Sequence, residues 1–279
     1  PPTYLYLEFA RVVDQVKPKF FIAENVSGLK GIDGGAWFQQ QIELFEGLAD
    51  GYHVTYSLAD AKNFGVPQSR KRVFIVGVRA DLGMQYRFPE PTHGSLKERR
   101  KNPFLLPFTS HGEAIKHIPL DAPGEFYERP HDETGHMSWY YMSRNRKAKW
   151  LEPAFCVVAN FRHITLHPAS NTMELIWSNL ADGFKQKWDF TDDYEHLLHD
   201  PTLPTLEVPR RLSWRECAAI QTFPENFEPS GNLQKKFEQI GNAIPPQLLE
   251  KIASGLISGE GLEKMKFLSS PPQQLTLFE

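Results

Sequence analysis

Phe20-Phe21-Ile22-Ala23 is an unbroken apolar run that passes directly into Glu24-Asn25-Val26-Ser27-Gly28. An apolar run this short, preceded by Pro18 and followed by polar residues and glycine, reads as a strand buried on both faces. Polar side chains at the C-terminal end of such a strand stand where ligands sit in doubly wound α/β folds. The flanking sequence fits that architecture. Upstream, Leu5, Phe9, Val12, Val13 and Val16 share one helical face, and Lys17-Pro18 ends the helix because proline disfavours helix in the residue before it. Downstream, Phe38, Ile42, Phe45, Leu48 and Ala49 recur at helical spacing over about Ala36 to Ala49, with Gly51 as the stop. Tyr52 to Leu58 and Arg72 to Val78 read as two further strands, the second alternating Phe74, Val76 and Val78. Helix, strand, helix, strand, strand is half of a Rossmann-like domain.

From about Ala80 to Pro209 the sequence is proline-rich, aromatic and weakly periodic, the mark of a separate loop-rich domain inserted into the first. Regular patterning returns at Arg211. Ser213-Trp214-Arg215-Glu216 is a capping box opening a short helix that Phe223-Pro224 closes, and a final helix over about Pro246 to Leu256 starts with proline in its first turn. The expected organisation is therefore residues 1–79 and 210–262 as parts of one α/β domain, 80–209 as the insert, and 263–279 as a tail.

With 41% hydrophobic and 23% charged residues in 279, the chain has material for one or two ordinary cores. No apolar run is long enough to span a bilayer, and Pro1-Pro2-Thr3 opens no basic or signal-like leader, so the expectation is a cytoplasmic protein without a membrane partner. Two cysteines are too few for a disulfide framework and have no metal-ligand spacing. His131, His136, His163 and His167 match no ligand motif either, so no metal is expected. The net charge of -3 neither requires nor excludes nucleic acid, for which a local basic face suffices. Lys97-Glu98-Arg99-Arg100-Lys101 and Arg144-Asn145-Arg146-Lys147 supply such a face, or are solvated loops.

Four segments, in order, carry a resemblance. They are Ala23-Glu24-Asn25-Val26; Gln68-Ser69-Arg70-Lys71-Arg72; Arg211-Leu212-Ser213-Trp214-Arg215-Glu216-Cys217 running on to Gln221-Thr222-Phe223-Pro224; and Gly241-Asn242-Ala243-Ile244-Pro245-Pro246. Each alone is a weak signal; their joint order, with a variable insert between the second and third, resembles the signature motifs of the cytosine-C5 DNA methyltransferases. The resemblance implies a partial Rossmann-like class I methyltransferase sheet with an inserted target-recognition domain. It also implies S-adenosylmethionine as cofactor, duplex DNA as substrate, and bacterial or phage restriction-modification as the setting.

The chemistry accounts for the residue types. Cytosine C5 is a poor nucleophile, and the family's enzymes activate it by adding a cysteine thiolate to C6. That addition needs a proton at N3, and the resemblance places its donor on Glu24, a strand-end carboxyl raised in pKa by desolvation. Asn25 would hold the neighbouring loop. Arg70 and Arg72, two apart in an extended segment, are expected on one face, one holding the cytosine or its backbone and the other bracing the site. Gln68 shapes the turn after Pro67. Arg215, Gln221 and Phe223 would clamp the insert to the core, with Arg215 also a candidate for DNA contact. In the family the turn at Asn242, Ala243 and Ile244 lies against cofactor, although Gly-Asn before a proline-started helix is equally ordinary turn chemistry. Within the insert, Pro153 to Pro168 resembles part of the recognition domain, with Asn160, Arg162 and His163 the candidates for DNA contact.

Neither Cys156 nor Cys217 follows a proline in the family's Pro-Cys-Gln loop, and no glycine-rich cofactor loop occurs. The resemblance thus implies a partner, either an N-terminal methyltransferase subunit or an upstream segment, that carries both and covers an otherwise unpaired edge of the first strand. The alternatives are a non-catalytic sequence-specific DNA-binding subunit and an RNA cytosine-C5 methyltransferase. Finally, Gln274-Leu275-Thr276-Leu277-Phe278 resembles the short peptides that dock on the bacterial sliding clamp, against the plain reading of a frayed or folded-back terminus.

Overall fold

The computed structural model of the chain describes residues 5–28, 34–128, 137–138, 140–178 and 186–265. The chain divides into two compact units, one of residues 1–59, 72–89 and 252–279, the other of residues 60–71 and 90–251. The helices expected to return to the sheet domain lie, up to residue 251, in the same unit as residues 90–209. The clamp-like segment Gln274 to Phe278, and His131 and His136, lie outside the described residues.

The first unit is built on α1 (Leu5–Val16), β1 (Phe20–Val26), α2 (Ala36–Glu46), β2 (Tyr52–Asp60) and β3 (Lys71–Arg79), with strand order β1-β3-β2. β1 and β3 are antiparallel, in register from Phe20 opposite Val78 to Val26 opposite Arg72. The core uses periodic residues seen in the sequence, Val13 from α1 and Phe38, Ile42 and Phe45 from α2, together with Phe21 from β1 and with Val73 and Ile75 from β3, the face opposite the alternating Phe74, Val76 and Val78. Aromatic rings dominate it, Phe21 standing 5.5 Å from Phe45 and 5.1 Å from Tyr52 between centroids. Gly77 faces Phe21 across the sheet, and its hydrogen side chain is required there, because any Cβ would enter the Phe21 ring.

Two expectations change. α2 ends at Glu46, with Gly47 rather than Gly51 as its cap. β1 continues through Glu24 and Asn25 to Val26, and only Phe21 of it is fully buried. It is an edge strand, flanked among the described residues by β3 alone, which leaves its outer faces partly in solvent. Near the end of this unit β4 (Met84–Tyr86) pairs antiparallel with β9 (Leu262–Lys264). Tyr86 donates its hydroxyl hydrogen to the Ile252 carbonyl at 2.6 Å, and burial pushes the phenol up to about 12.

The second unit holds a short parallel pair, β5 (His93–Gly94) with β6 (Leu106–Pro107), around α3 (Leu96–Lys101), and then α4 (His111–Ile115). The basic run Lys97 to Lys101 is thus a helix and not a loop, opened by a complete capping box of Ser95 and Glu98. β7 (Met173–Ser178) and β8 (Gln186–Phe190) pair antiparallel within the segment read as weakly periodic. α5 (Trp214–Ile220), α6 (Leu233–Asn242) and α7 (Pro246–Ser258) follow. α5 opens on the expected capping box of Ser213 and Glu216 but stops at Ile220, before Phe223-Pro224. α6 was not anticipated: Gly241 and Asn242 are its last residues rather than a free turn. Its signals were an Asn232 cap and Phe237, Ile240 and Gly241 on one buried face. That face packs with Trp214, Cys217 and Ile220 of α5 and with Ala154, Val157 and Leu212 into the core of this unit.

Candidate active site

Antiparallel register places Glu24 opposite Phe74 and Val26 opposite Arg72, so Glu24 and Arg72 are diagonal neighbours on one face of the sheet. The Arg72 Nε donates to Glu24 Oε1 at 2.7 Å, with 16% and 22% of the two side chains exposed. This charge-assisted bond fixes the carboxylate at an accessible face. Glu24 is therefore not the fully desolvated carboxyl expected from an all-buried strand. Asn25 uses its Oδ1 to accept from the Val26 amide at 2.8 Å, a local bond.

Arg70 lies one residue before β3 begins, so strand alternation does not govern it. Its guanidinium is buried and donates to the carbonyls of Val157 (2.9 Å), Gly241 (2.8 Å) and Ala243 (3.0 Å), and to Cys156 Sγ at 3.3 Å. Gln68, fully buried, accepts from the Val157 amide at 2.9 Å and donates to Gln221 Oε1 at 2.7 Å. Gln221 in turn donates to the Ile240 carbonyl at 2.7 Å. Three of the four sequence motifs thus meet in one buried hydrogen-bond lattice that fixes residues 156–157 and the end of α6. In that lattice Arg70 is a brace, with its donors committed to main-chain carbonyls.

The braced chain leads into the turn Phe161–His163, capped by Asn160, whose Oδ1 accepts from the Arg162 amide at 3.1 Å. The exposed Arg162 guanidinium lies 5.7 Å from the Phe161 ring and 5.9 Å from that of Tyr127. His163 leans on Tyr140 at 5.6 Å; burial, and then the charges of Arg146, Arg211 and Arg144, hold its imidazole below the ordinary range. Arg215 pairs with Glu125 at 2.6 Å and lies over Trp214. Phe223 stacks on Phe227, with centroids 4.1 Å apart.

Sequence reading missed a charged centre in the same unit. Glu216, wholly buried, receives both Arg210 Nη atoms at 2.7 and 2.9 Å and His167 Nε2 at 3.3 Å, while also accepting from the Ser213 amide at 2.7 Å. Burial alone would raise this carboxyl, but the bonds from Arg210 and His167 outweigh it and hold Glu216 at about 2. The capping box signalled Glu216; nothing local signalled that the same carboxylate would also pair with Arg210 and His167.

Cys217 is fully buried, and burial pushes its thiol well up, the wrong state for a nucleophile. Among the described residues no cluster of histidine, cysteine and carboxylate side chains is arranged to hold a metal ion, and no helix is long and apolar enough to cross a membrane.

Residues 1–258 match the family model described as C-5 cytosine-specific DNA methylase. Among curated relatives, the type II methyltransferase M.BspRI of Lysinibacillus sphaericus is 38% identical over 263 residues, covering 91% of this chain and 54% of its own length. M.BsuRI of Bacillus subtilis is likewise 38% identical, over 261 residues, covering 90% of this chain and 52% of the relative. The chain therefore spans about half the length of these two relatives. In fold it is similar to the crystal structure of the S. pombe Dnmt2 methyltransferase, with TM-score 0.54 at 14% identity, covering 91% of this chain and 72% of that one. The α/β architecture is accordingly that of a Rossmann-like methyltransferase, and the chain belongs to the C-5 cytosine-specific DNA methylase family.

Proposed function

We propose that this chain is the acid-bearing and sequence-reading part of a DNA cytosine-5 methyltransferase of restriction-modification type, acting on a cytosine turned out of duplex DNA. The observation that carries the reading is the Glu24 to Arg72 pair, a carboxylate oriented by a guanidinium at an accessible sheet face. A protein that only binds DNA has no need of it. In this reading Glu24 holds the proton delivered to cytosine N3, and Arg72 keeps the carboxyl aimed. Arg70, Gln68 and Gln221 act by holding the recognition loop, without touching the base.

S-adenosylmethionine, implied by the family, would supply the electrophilic methyl group. The chain's own residues fit one edge of it. Asn242 presents an exposed side chain at the end of α6 and Ile244 is half-exposed, whereas the Ala243 carbonyl is taken by Arg70. The thiolate that adds to C6 is assigned to a Pro-Cys-Gln segment outside these 279 residues, because Cys217 is sealed in a core and Cys156 lies against Arg70.

The test is methyl transfer to duplex DNA by the chain alone and after mixing with a polypeptide carrying the glycine-rich loop and Pro-Cys-Gln. Activity only in the mixture, with Glu24→Gln cutting turnover about 100-fold while DNA binding persists, is the expected result. Full-rate methylation by the chain alone would overturn the assignment of the nucleophile, and an undiminished Glu24→Gln rate that of the acid.

A further inference from the structure

The braced turn and α6 enclose an open groove lined by Ala159, Asn160, Phe161, Arg162, Gln234 and Glu238. No local signal marked α6 for recognition, yet it supplies half of the polar groups in this groove. Opposite chemistries meet there. Arg162 is a planar fork of donors flanked by two aromatic rings, and it makes no side-chain hydrogen bond or ion pair among the described residues. Glu238 is a carboxylate kept ionised by donors from Lys235 at 2.6 Å and Gln234 at 2.8 Å, which hold it below the usual carboxylate range. Both of these bonds come from its own helix, one to each carboxylate oxygen, and each oxygen keeps a lone pair for a further donor.

Beside Arg162 the groove presents the Glu238 carboxylate, an acceptor that a phosphate, itself only an acceptor at neutral pH, cannot bond. Base edges fit this complement. A guanine presents the paired acceptors O6 and N7 that an arginine fork takes, and a cytosine presents the N4 amino donor that a carboxylate takes. We infer that this groove reads one G·C base pair of the target sequence, with Arg162 donating to the guanine and Glu238 accepting from the amino group of its paired cytosine. The inference rests on the proposed function and adds to it the α6 residue Glu238 as a determinant of specificity. The aromatic flanks restrict the guanidinium plane, so less entropy is lost when the two bonds form.

The experiment is methylation of a duplex library, randomised around the modified cytosine, by the active enzyme, followed by sequencing of the methylated products. Wild type is expected to demand G·C at a fixed position, and Arg162→Ala to relax that position by roughly 10-fold or more. Arg162→Lys, which keeps the charge but loses the fork, should relax it nearly as far, whereas a phosphate contact would survive the change. Glu238→Gln should alter the preference at the same base pair and at no other. Variants that keep the wild-type profile, that lose activity equally on all sequences, or that act at two different positions would overturn the inference and leave the methyltransferase reading intact. Absence of any cytosine methylation by the wild type would instead remove the reading on which it rests.

Discussion

Gln68 and Gln221, 153 residues apart in sequence, share a 2.7 Å hydrogen bond between fully buried side-chain amides. Each amide is also tied to main chain, Gln68 to Val157 and Gln221 to Ile240, so the pair joins the loop around residue 157 to α6. Leucine at either position leaves its partner's polar atoms unpaired in a dry core, an expected loss of about 1–3 kcal/mol. Replacing both removes the side-chain orphans along with their mutual bond, leaving the Val157 amide and Ile240 carbonyl without these partners, so the double variant should lose less than the sum of the singles. Urea unfolding of the four proteins, followed by tryptophan fluorescence, checks this; additive losses would show that the two amides are not coupled.

Acid should weaken the second unit in two stages. His111 is wholly buried, and burial, with a smaller push from His167, pulls its imidazole from 6.5 down to about 3. Below pH 6.5 the unfolded chain takes up a proton that the folded one refuses, so stability falls as pH drops toward 3, by about 1.4 kcal/mol per pH unit for one histidine. Glu216 is ionised in the fold down to about 2, against 4.5 when unfolded. Its contribution is complete above pH 4.5 and is lost only as pH falls from there toward 2. His111→Leu should therefore flatten the stability profile between pH 6.5 and 4.5 and leave the steeper loss below 4.5 in place. Some slope must remain in the variant, because burial also lowers His167 and His196. Urea midpoints at pH 7, 5.5 and 4 measure it, and an unchanged slope from 7 to 5.5 would count against a buried neutral His111.

The sheet was readable because its signals are local. Phe38, Ile42 and Phe45 repeat at helical spacing, Phe74, Val76 and Val78 alternate, and both patterns became core. The edge position of β1 was implied only by the resemblance, and its half exposure was not readable at all. A run such as Phe20 to Ala23 looks the same whether one or two layers cover it. The site divides in the same way. Glu24 and Arg72 were marked by motif, and antiparallel register then made them neighbours. Arg70 looked identical to Arg72 on paper. Its burial among three carbonyls depends on residues 157, 241 and 243, contacts of high sequence separation that no window reveals. Glu238 escaped notice because α6 is polar on most of its surface, and its place beside Arg162 is a tertiary fact.

Arg72 tests the division of labour between stability and chemistry. Its pair with Glu24 is partly exposed, and such pairs contribute about 0–1 kcal/mol to stability. Arg72→Lys keeps the charge but cannot present Nε and a second donor in a fixed plane. The expected outcome is an unfolding midpoint near wild type together with a fall of roughly 10-fold or more in turnover of the active enzyme, the scale of a displaced acid. A variant that unfolds early but turns over normally would make the pair structural.

Gly241 provides the sharpest link between the fourth motif and the loop at residues 158–163. It sits in the last turn of α6 with an ordinary helical backbone, so its presence is not explained by a left-handed conformation. A Cβ there would instead run into the backbone of Val158 and Ala159, which lies directly on the helix. Alanine is favoured over glycine within a helix by about 1 kcal/mol, and an exposed glycine at this point would be improved by the change. Here the obstacle is main chain, which cannot rotate aside as a side chain can, and forced overpacking typically costs about 1–3 kcal/mol. The clash should win, with relief coming from displacement of residues 158–163, because the other side of the contact is the packed core face of α6. Gly241→Ala is thus expected to lose up to about 2 kcal/mol net in urea unfolding, taking the difference of these two effects. It should also speed hydrogen exchange at Ala159 to His163 while leaving exchange in β1 and β3 unchanged. Faster exchange across the sheet as well would mean general loosening, and a stabilised protein would mean that the loop does not rest on the glycine.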